Sequence, residues 1–236
     1  MRIDVTKARN IFAERSVHSL YHSNTVATSC SFLANDALLS RHQIEARGLV
    51  QTPQQSDAQD KLFKIWNDLF FDSVDIHERA AAPNFYGPVL FVFPLEVLTP
   101  EVAPFVSVTR TNPISWKIGQ PTKERYFTSA RSLHQGFIHA EFGQHIVLKD
   151  VDGILPLTGR LTCLVVDDPG PISIGNGDVL LLQPALNALR KAARAGGLKY
   201  LRIRTRGCHA ASLCKEDYRR EPFRTMRKFA PTCEPP

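Results

Sequence analysis

A chain of 236 residues suits one medium domain, or one domain with a compact extension, and can bury a real core. With 43% hydrophobic and 22% charged residues it is not a disordered chain, and the lack of any run of about 18 apolar residues argues against a membrane span. Met1-Arg2-Ile3-Asp4-Val5 has no apolar signal core, so a cytoplasmic protein is expected.

The net charge of +6 is unevenly placed. From Leu186 onward there are 13 Lys and Arg against 4 Asp and Glu, about +9, which leaves the rest of the chain near −3. Such a basic block gathers phosphates or meets an acidic partner. The five cysteines, Cys30, Cys163, Cys208, Cys214 and Cys233, are odd in number and widely spread, which fits reduced thiols. Cys208-His209 with Cys214 and Cys233 lacks the paired knuckles of a structural zinc site, so no metal is expected.

In chain order, residues 1–17 have weak helical character and Val17 to His22 reads as a short strand ending in polar turn residues. Ser29 is a plausible N-cap for a helix carrying Phe32, Leu33, Ala37, Leu38 and Ile44 and ending at Gly48. Gln51 to Gln59 reads as a polar loop, and Leu62 to Phe70 as a compact helix or helix-to-strand junction. Val89-Leu90-Phe91-Val92-Phe93 is the clearest buried strand, stopped by Pro94. Further strands are expected at Phe105–Val108, His145–Leu148, Ile154–Leu157 and Leu161–Val166, with Ser132–Phe142 ambiguous. Gly175-Asn176-Gly177-Asp178 would open a helix with Val179, Leu182, Leu186 and Leu189 on its apolar side, running to Gly196-Gly197. Tyr200-Leu201-Arg202-Ile203-Arg204 alternates as an exposed basic strand should.

Several chemistries are absent by motif. There is no phosphate-binding G-x-x-x-x-G-K-[ST], no G-x-G-x-x-G after a strand, no G-x-S-x-G elbow and no H-E-x-x-H. Three polar groupings at strand ends remain. The first is Tyr21-His22-Ser23-Asn24-Thr25, where a histidine offers one donor and one acceptor to a ligand, or merely caps a turn. The second runs from Phe71-Asp72 to Glu78-Arg79, in which Arg79 could clamp a pyrophosphate bidentately or pair with Glu78 or Asp75. The third is Glu141 with Gln135 and His139, a carboxylate able to stabilise an oxocarbenium-like centre, or else a surface residue.

Leu20-Tyr21-His22-Ser23, followed by a helical stretch ending Leu38-Leu39-Ser40-Arg41 and by Gly48-Leu49, resembles the opening of ADP-ribosyltransferases. Phe70-Phe71-Asp72 through Arg79 to Tyr86, followed by Val89–Phe93, resembles a segment of the DarT family of nucleic-acid-modifying toxins. The resemblance covers about residues 17–166, and Ser23-Asn24 departs from the threonine expected two places after the histidine.

The resemblance implies an α+β, split-sheet catalytic core over residues 1–170 and a basic extension over 171–236 packed on the same domain. It implies NAD as the ADP-ribose donor, held by Tyr21, His22, Ser23, Thr25, Phe71 and Tyr86, with Glu141 and Arg79 catalytic. The acceptor would be RNA or single-stranded DNA on Arg202, Arg204, Arg206, Arg219, Arg220 and Arg224. An antitoxin or inhibitor protein is the expected partner, as in toxin–antitoxin or phage-defence systems. Two alternatives stay open: transfer to a protein side chain, and a nucleic-acid-binding module without catalysis.

Overall fold

A computed structural model describes residues 1–77, 85–207 and 213–232. The chain is a mixed α+β protein. Its first half runs β1 (Ile3–Asp4), α1 (Val5–Glu14), β2 (Ser19–Asn24), α2 (Val26–Ala34), β3 (Ala37–Leu39), α3 (Arg41–Ala46), α4 (Asp57–Leu62), β4 (Leu69–Phe71), β5 (Val89–Pro94) and β6 (Phe105–Val108). Then come α5 (Thr122–Arg125), α6 (Ala130–Gly136), β7 (Ile146–Leu148), β8 (Ile154–Pro156), β9 (Cys163–Asp168), β10 (Pro171–Ile174) and β11 (Gly177–Leu180). The chain closes with α7 (Leu182–Ala195), β12 (Ile203–Gly207), α8 (Leu213–Arg220) and α9 (Pro222–Phe229).

Two four-stranded sheets organise the core, with strand orders β12-β9-β5-β2 and β1-β6-β7-β4. Within the first, only β9 and β12 are parallel, and parallel neighbours need a long crossover. The β10–β11 hairpin and α7 supply it. The apolar run Val89–Phe93 sits in the middle of that sheet, between β2 and β9, where both faces are covered enough to suit uninterrupted branched and aromatic residues.

Helices cover the inward face. On α1, Val5, Ala8, Ile11 and Phe12 recur at helical spacing and are buried, while Asp4 caps the first turn through Lys7 N at 2.9 Å. α2 is buried on nearly every side and packs against α7. Their approach is close at Gly196, where a Cβ would stand 1.9 Å from the Leu33 carbonyl oxygen. α7 buries Ala185, Leu186, Leu189 and Ala193, and turns Arg190, Lys191 and Arg194 outward.

Three sequence expectations are corrected. The helix from Ser29 to Gly48 is instead α2, β3 and α3: Thr25 is the N-cap, Ser29 lies inside α2, and Asp36 takes a left-handed φ of 47° that ends the helical path. Ala37–Leu39 then pairs with Ile154–Pro156 as a fully buried strand. The segment opened by Gly175 is first a hairpin, because Gly175 at φ 59° turns β10 into β11, and the helix starts only at Leu182. The Gln51–Gln59 loop also ends early: α4 starts at Asp57, whose carboxylate takes Arg41 Nη2 at 2.6 and 2.7 Å.

Candidate functional site

Among the described residues the backbones of the two sheets are bridged at one residue pair. Tyr21 N donates to Asp72 O at 3.0 Å and Asp72 N to Tyr21 O at 2.8 Å, an antiparallel bridge between β2 and the residue after β4. Beyond it the ladder stops. Instead the His22 ring enters the seam, and Nδ1 donates to the Phe70 carbonyl at 2.9 Å. That bond fixes the proton on Nδ1 and leaves Nε2 as an acceptor, 3.5 Å from Asn24 Nδ2. Burial holds His22 below its usual pKa, with Arg41 adding to the effect, so the ring is neutral at pH 7.

Alternation along β2 separates neighbours. His22 faces the aromatic core, with ring centroids 5.8 Å from Phe32, 6.3 Å from Phe71 and 6.4 Å from Phe91. Phe71 is buried against His22 and Phe93, so its ring braces the histidine from within. Tyr21 and Ser23 belong to the opposite face by the same alternation; Tyr21 is half-buried and Ser23 buried.

At the end of β2, Thr25 caps α2 and shares its hydroxyl with Thr28 at 3.2 Å and Thr52 at 2.7 Å. Thr52 N donates to Thr28 Oγ1 at 2.9 Å, and Arg41 Nη1 to Thr52 O at 2.9 Å. Residues 51–57 are thereby strapped across the start of α2. Three side-chain polar atoms on these segments, Ser29 Oγ, Arg41 Nε and Gln51 Oε1, are buried without a hydrogen-bond partner. Sequence reasoning overlooked Arg41, Thr52 and Asp57 as site neighbours, since their association needs the strap to fold back.

The same strap leads into α4, where burial lifts the Asp60 carboxyl from 3.8 to about 6. A folded pKa above the unfolded one means that the folded chain holds the extra proton between those values, so stability falls as pH rises from about 4 to 6. Asp60→Asn is expected to raise stability at pH 7 by up to about 1 kcal/mol, the partial exposure of Asp60 screening the rest. Urea denaturation at pH 4 and pH 7 checks this: the variant should flatten the slope, and an unchanged slope refutes it.

Glu141 is exposed, in a turn that precedes β7 by several residues rather than opening the strand. That turn is anchored near the seam, because His139 Nε2 donates to Ser73 O at 2.9 Å and Ala140 N to Ser73 Oγ at 3.2 Å. Next to Ser73, the Asp72 carboxylate lies 3.4 Å from His145 Nδ1. Tyr86 is half-buried. Arg79 lies outside the described residues, as do Cys208, His209 and Cys233. Among the described residues no group of three potential metal ligands occurs.

The basic residues divide into two sets. Arg206 is directed inward: Nε and Nη2 donate to Asp167 Oδ1 at 3.0 and 2.9 Å, and the guanidinium also meets Asp75 and His77. Asp167 takes the Tyr218 hydroxyl at 2.8 Å on its other oxygen, and His77 Nε2 donates to the Gly87 carbonyl at 3.0 Å. Burial opposes the charge of Asp167, but His77 and Arg206 hold its carboxyl below the usual range. Arg224 pairs with Asp217 and Arg220 with Glu216. Arg202, Arg204 and Arg219 are exposed.

No helix among the described residues is long and apolar enough to cross a membrane. The chain matches no protein-family model, and no curated protein is significantly similar to it.

Proposed function

We propose that this chain is an NAD-dependent ADP-ribosyltransferase whose acceptor is nucleic acid, built on a split-sheet core. The observation that carries the proposal is the seam. Among the described residues the backbones of the two four-stranded sheets are bridged at the Tyr21–Asp72 pair, and a neutral histidine fills the gap where the ladder would continue. A split between sheets is where a long, two-ended molecule such as NAD is gripped on both sides.

In this reading Tyr21, Ser23 and Thr25 line the nicotinamide end, His22, braced by Phe71, holds that strand end from the core side across the seam, and Tyr86 and Arg79 serve the rest of the donor. As the nicotinamide–ribose bond breaks, its electrons leave with nicotinamide and positive charge gathers on the ribose. Glu141, carried on the turn anchored at Ser73, stabilises that charge and orients a ribose hydroxyl. A nucleophilic atom of a base then bonds to the anomeric carbon and releases its proton. Such chemistry would harm its own cell, so an inhibitor protein belongs to the proposal.

The test is incubation with NAD labelled in the ADP-ribose half and separate pools of RNA, single-stranded DNA and protein. Label is expected in a nucleic-acid pool, and Glu141→Gln should lower transfer by about 100-fold or more. Label in protein alone moves the acceptor to a side chain. Intact transfer by Glu141→Gln removes that residue from catalysis, and no NAD consumption with any pool refutes the proposal.

A further inference from the structure

Between Leu182 and Gly207 the chain holds seven Lys and Arg residues and no Asp or Glu. Six of them, Arg190, Lys191, Arg194, Lys199, Arg202 and Arg204, are exposed. None of the six is ion-paired among the described residues, in contrast to Arg206, Arg220, Arg224 and Lys228. Lys199, Arg202 and Arg204 follow one another closely along the chain at and just before the edge strand β12, and like charges so placed repel one another. The surface is complementary to a polyanion.

Register shows where such a polyanion would lead. Residues opposite each other on neighbouring strands share a face. Arg204 opposes Val165, Val165 opposes Leu90, and Leu90 opposes Ser23. One row further, Cys163 opposes Val92 and Val92 opposes Tyr21. The opposite face is closed at Leu20, Phe91 and Leu164; on this face Leu90, Ser23 and Cys163 are buried as well, while Tyr21, Val92 and Val165 keep part of their surface. Tyr21, Val92 and Val165 thus form a half-open diagonal across the sheet, from the seam to Arg204 on β12. Tyr200, 99% exposed beside Lys199, adds an aromatic plane at the basic end.

We infer that a single-stranded nucleic acid docks along this face, with phosphates on Lys199, Arg202 and Arg204 and unpaired bases over that diagonal towards Tyr21. This rests on nucleic acid being the acceptor proposed above. A single strand fits better than a duplex, because only unpaired bases present flat apolar faces to Val92, Val165 and an aromatic ring. The inference also selects among the arginines: Arg202 and Arg204 contact the strand, while Arg206 and Arg224 are held by internal carboxylates.

Binding is measured without NAD, by fluorescence anisotropy of labelled single strands of about 20 nucleotides and a duplex of the same length. The intact chain is expected to bind single-stranded DNA or RNA more tightly than duplex. Arg202→Glu/Arg204→Glu should weaken binding by at least about tenfold near 0.1 M salt and flatten the log–log salt slope by about 1.4 or more. Tyr200→Ala should weaken it several-fold. Arg202 and Arg204 are both exposed, so melting curves of the double variant should match the parent. Equal binding by parent and double variant, preference for duplex, or no binding to either single strand with capture of an acidic protein instead, each overturns the inference. NAD consumption is read separately. A chain that binds strands through Arg202 and Arg204 but never consumes NAD refutes the transferase reading and leaves this surface standing. Transfer to nucleic acid with unaltered binding by the double variant does the reverse.

Discussion

Arg206→Ala is expected to destabilise the protein by about 3–5 kcal/mol at pH 7, a large part of the 5–15 kcal/mol that holds a typical domain together. The arginine is one cation between two carboxylates, Asp75 and Asp167, both buried. Its removal leaves two negative charges facing one histidine in a region that water scarcely reaches. The pH dependence identifies the cause. Asp167 has a depressed folded pKa, so its contribution is present above the unfolded value near 3.8 and is lost as pH falls through the folded one. In the variant the Asp167 carboxyl, without Arg206, gains its proton more readily in the folded state. The gap between parent and variant should therefore be widest at neutral pH and shrink below about pH 4. Urea denaturation at pH 7 and pH 3.5 measures it, and a loss under about 1 kcal/mol at pH 7 would mean that the cluster relaxes into water. Arg206→Lys should recover part of the loss, limited by one ammonium replacing a guanidinium that reaches both carboxylates.

That cluster also marks where sequence reading stops. The basic strand around Arg202–Arg206 was legible from its alternation, and β12 lies there. Nothing local distinguishes Arg204, which stays outside, from Arg206, which turns in. The difference is made by Asp167, 39 residues earlier, and Asp75, 131 residues earlier. Val89–Phe93 was legible because its branched and aromatic residues stand unbroken between Pro88 and Pro94, and the strand at Val17–His22 needed only a shift of two residues. The proposed helix Ser29–Gly48 failed for a physical reason. Ala37-Leu38-Leu39 continues the apolar spacing of α2, and a short buried strand looks the same as one more helical turn.

The candidate site was partly legible in the same sense. Tyr21, His22 and Ser23 were found as a strand end, and the strand runs two residues further, to Asn24. What the sequence could not supply is the contact that makes His22 interesting, a donor bond to a carbonyl 48 residues away across a seam between sheets. Nor could it show that the Glu141 turn is tied to Ser73, since that bond spans 67 residues. Chemistry-bearing residue types can be read in one dimension. Their partners depend on which strands become neighbours.

Gly87→Ala should produce the second large effect, and it links the fold to the site. Gly87 has φ 151°, a conformation that L side chains rarely adopt. A Cβ there would stand 2.3 Å from the Asn24 carbonyl oxygen and 2.5 Å from Thr25 N, both backbone atoms that cannot swing aside. The carbonyl of Gly87 also receives His77, so a displaced Gly87 disturbs the Arg206 cluster at the same time. Strain and overpacking together are expected to cost about 2–4 kcal/mol, measured as a fall in urea midpoint with unchanged slope. Gly196→Ala provides the comparison. Its Cβ would meet the Leu33 carbonyl oxygen at 1.9 Å, between α2 and α7 and away from the end of β2, so it too should destabilise by a similar amount. The two variants should part in NAD binding, measured by calorimetry where both are folded. Gly87→Ala moves the Asn24-Thr25 backbone that ends the strand carrying His22, and should weaken binding by about tenfold or more. Gly196→Ala should leave it near the parent value. Equal NAD affinity in both variants would place the donor site elsewhere, because no ligand gripped by that strand end tolerates a backbone shift there and an unchanged affinity together.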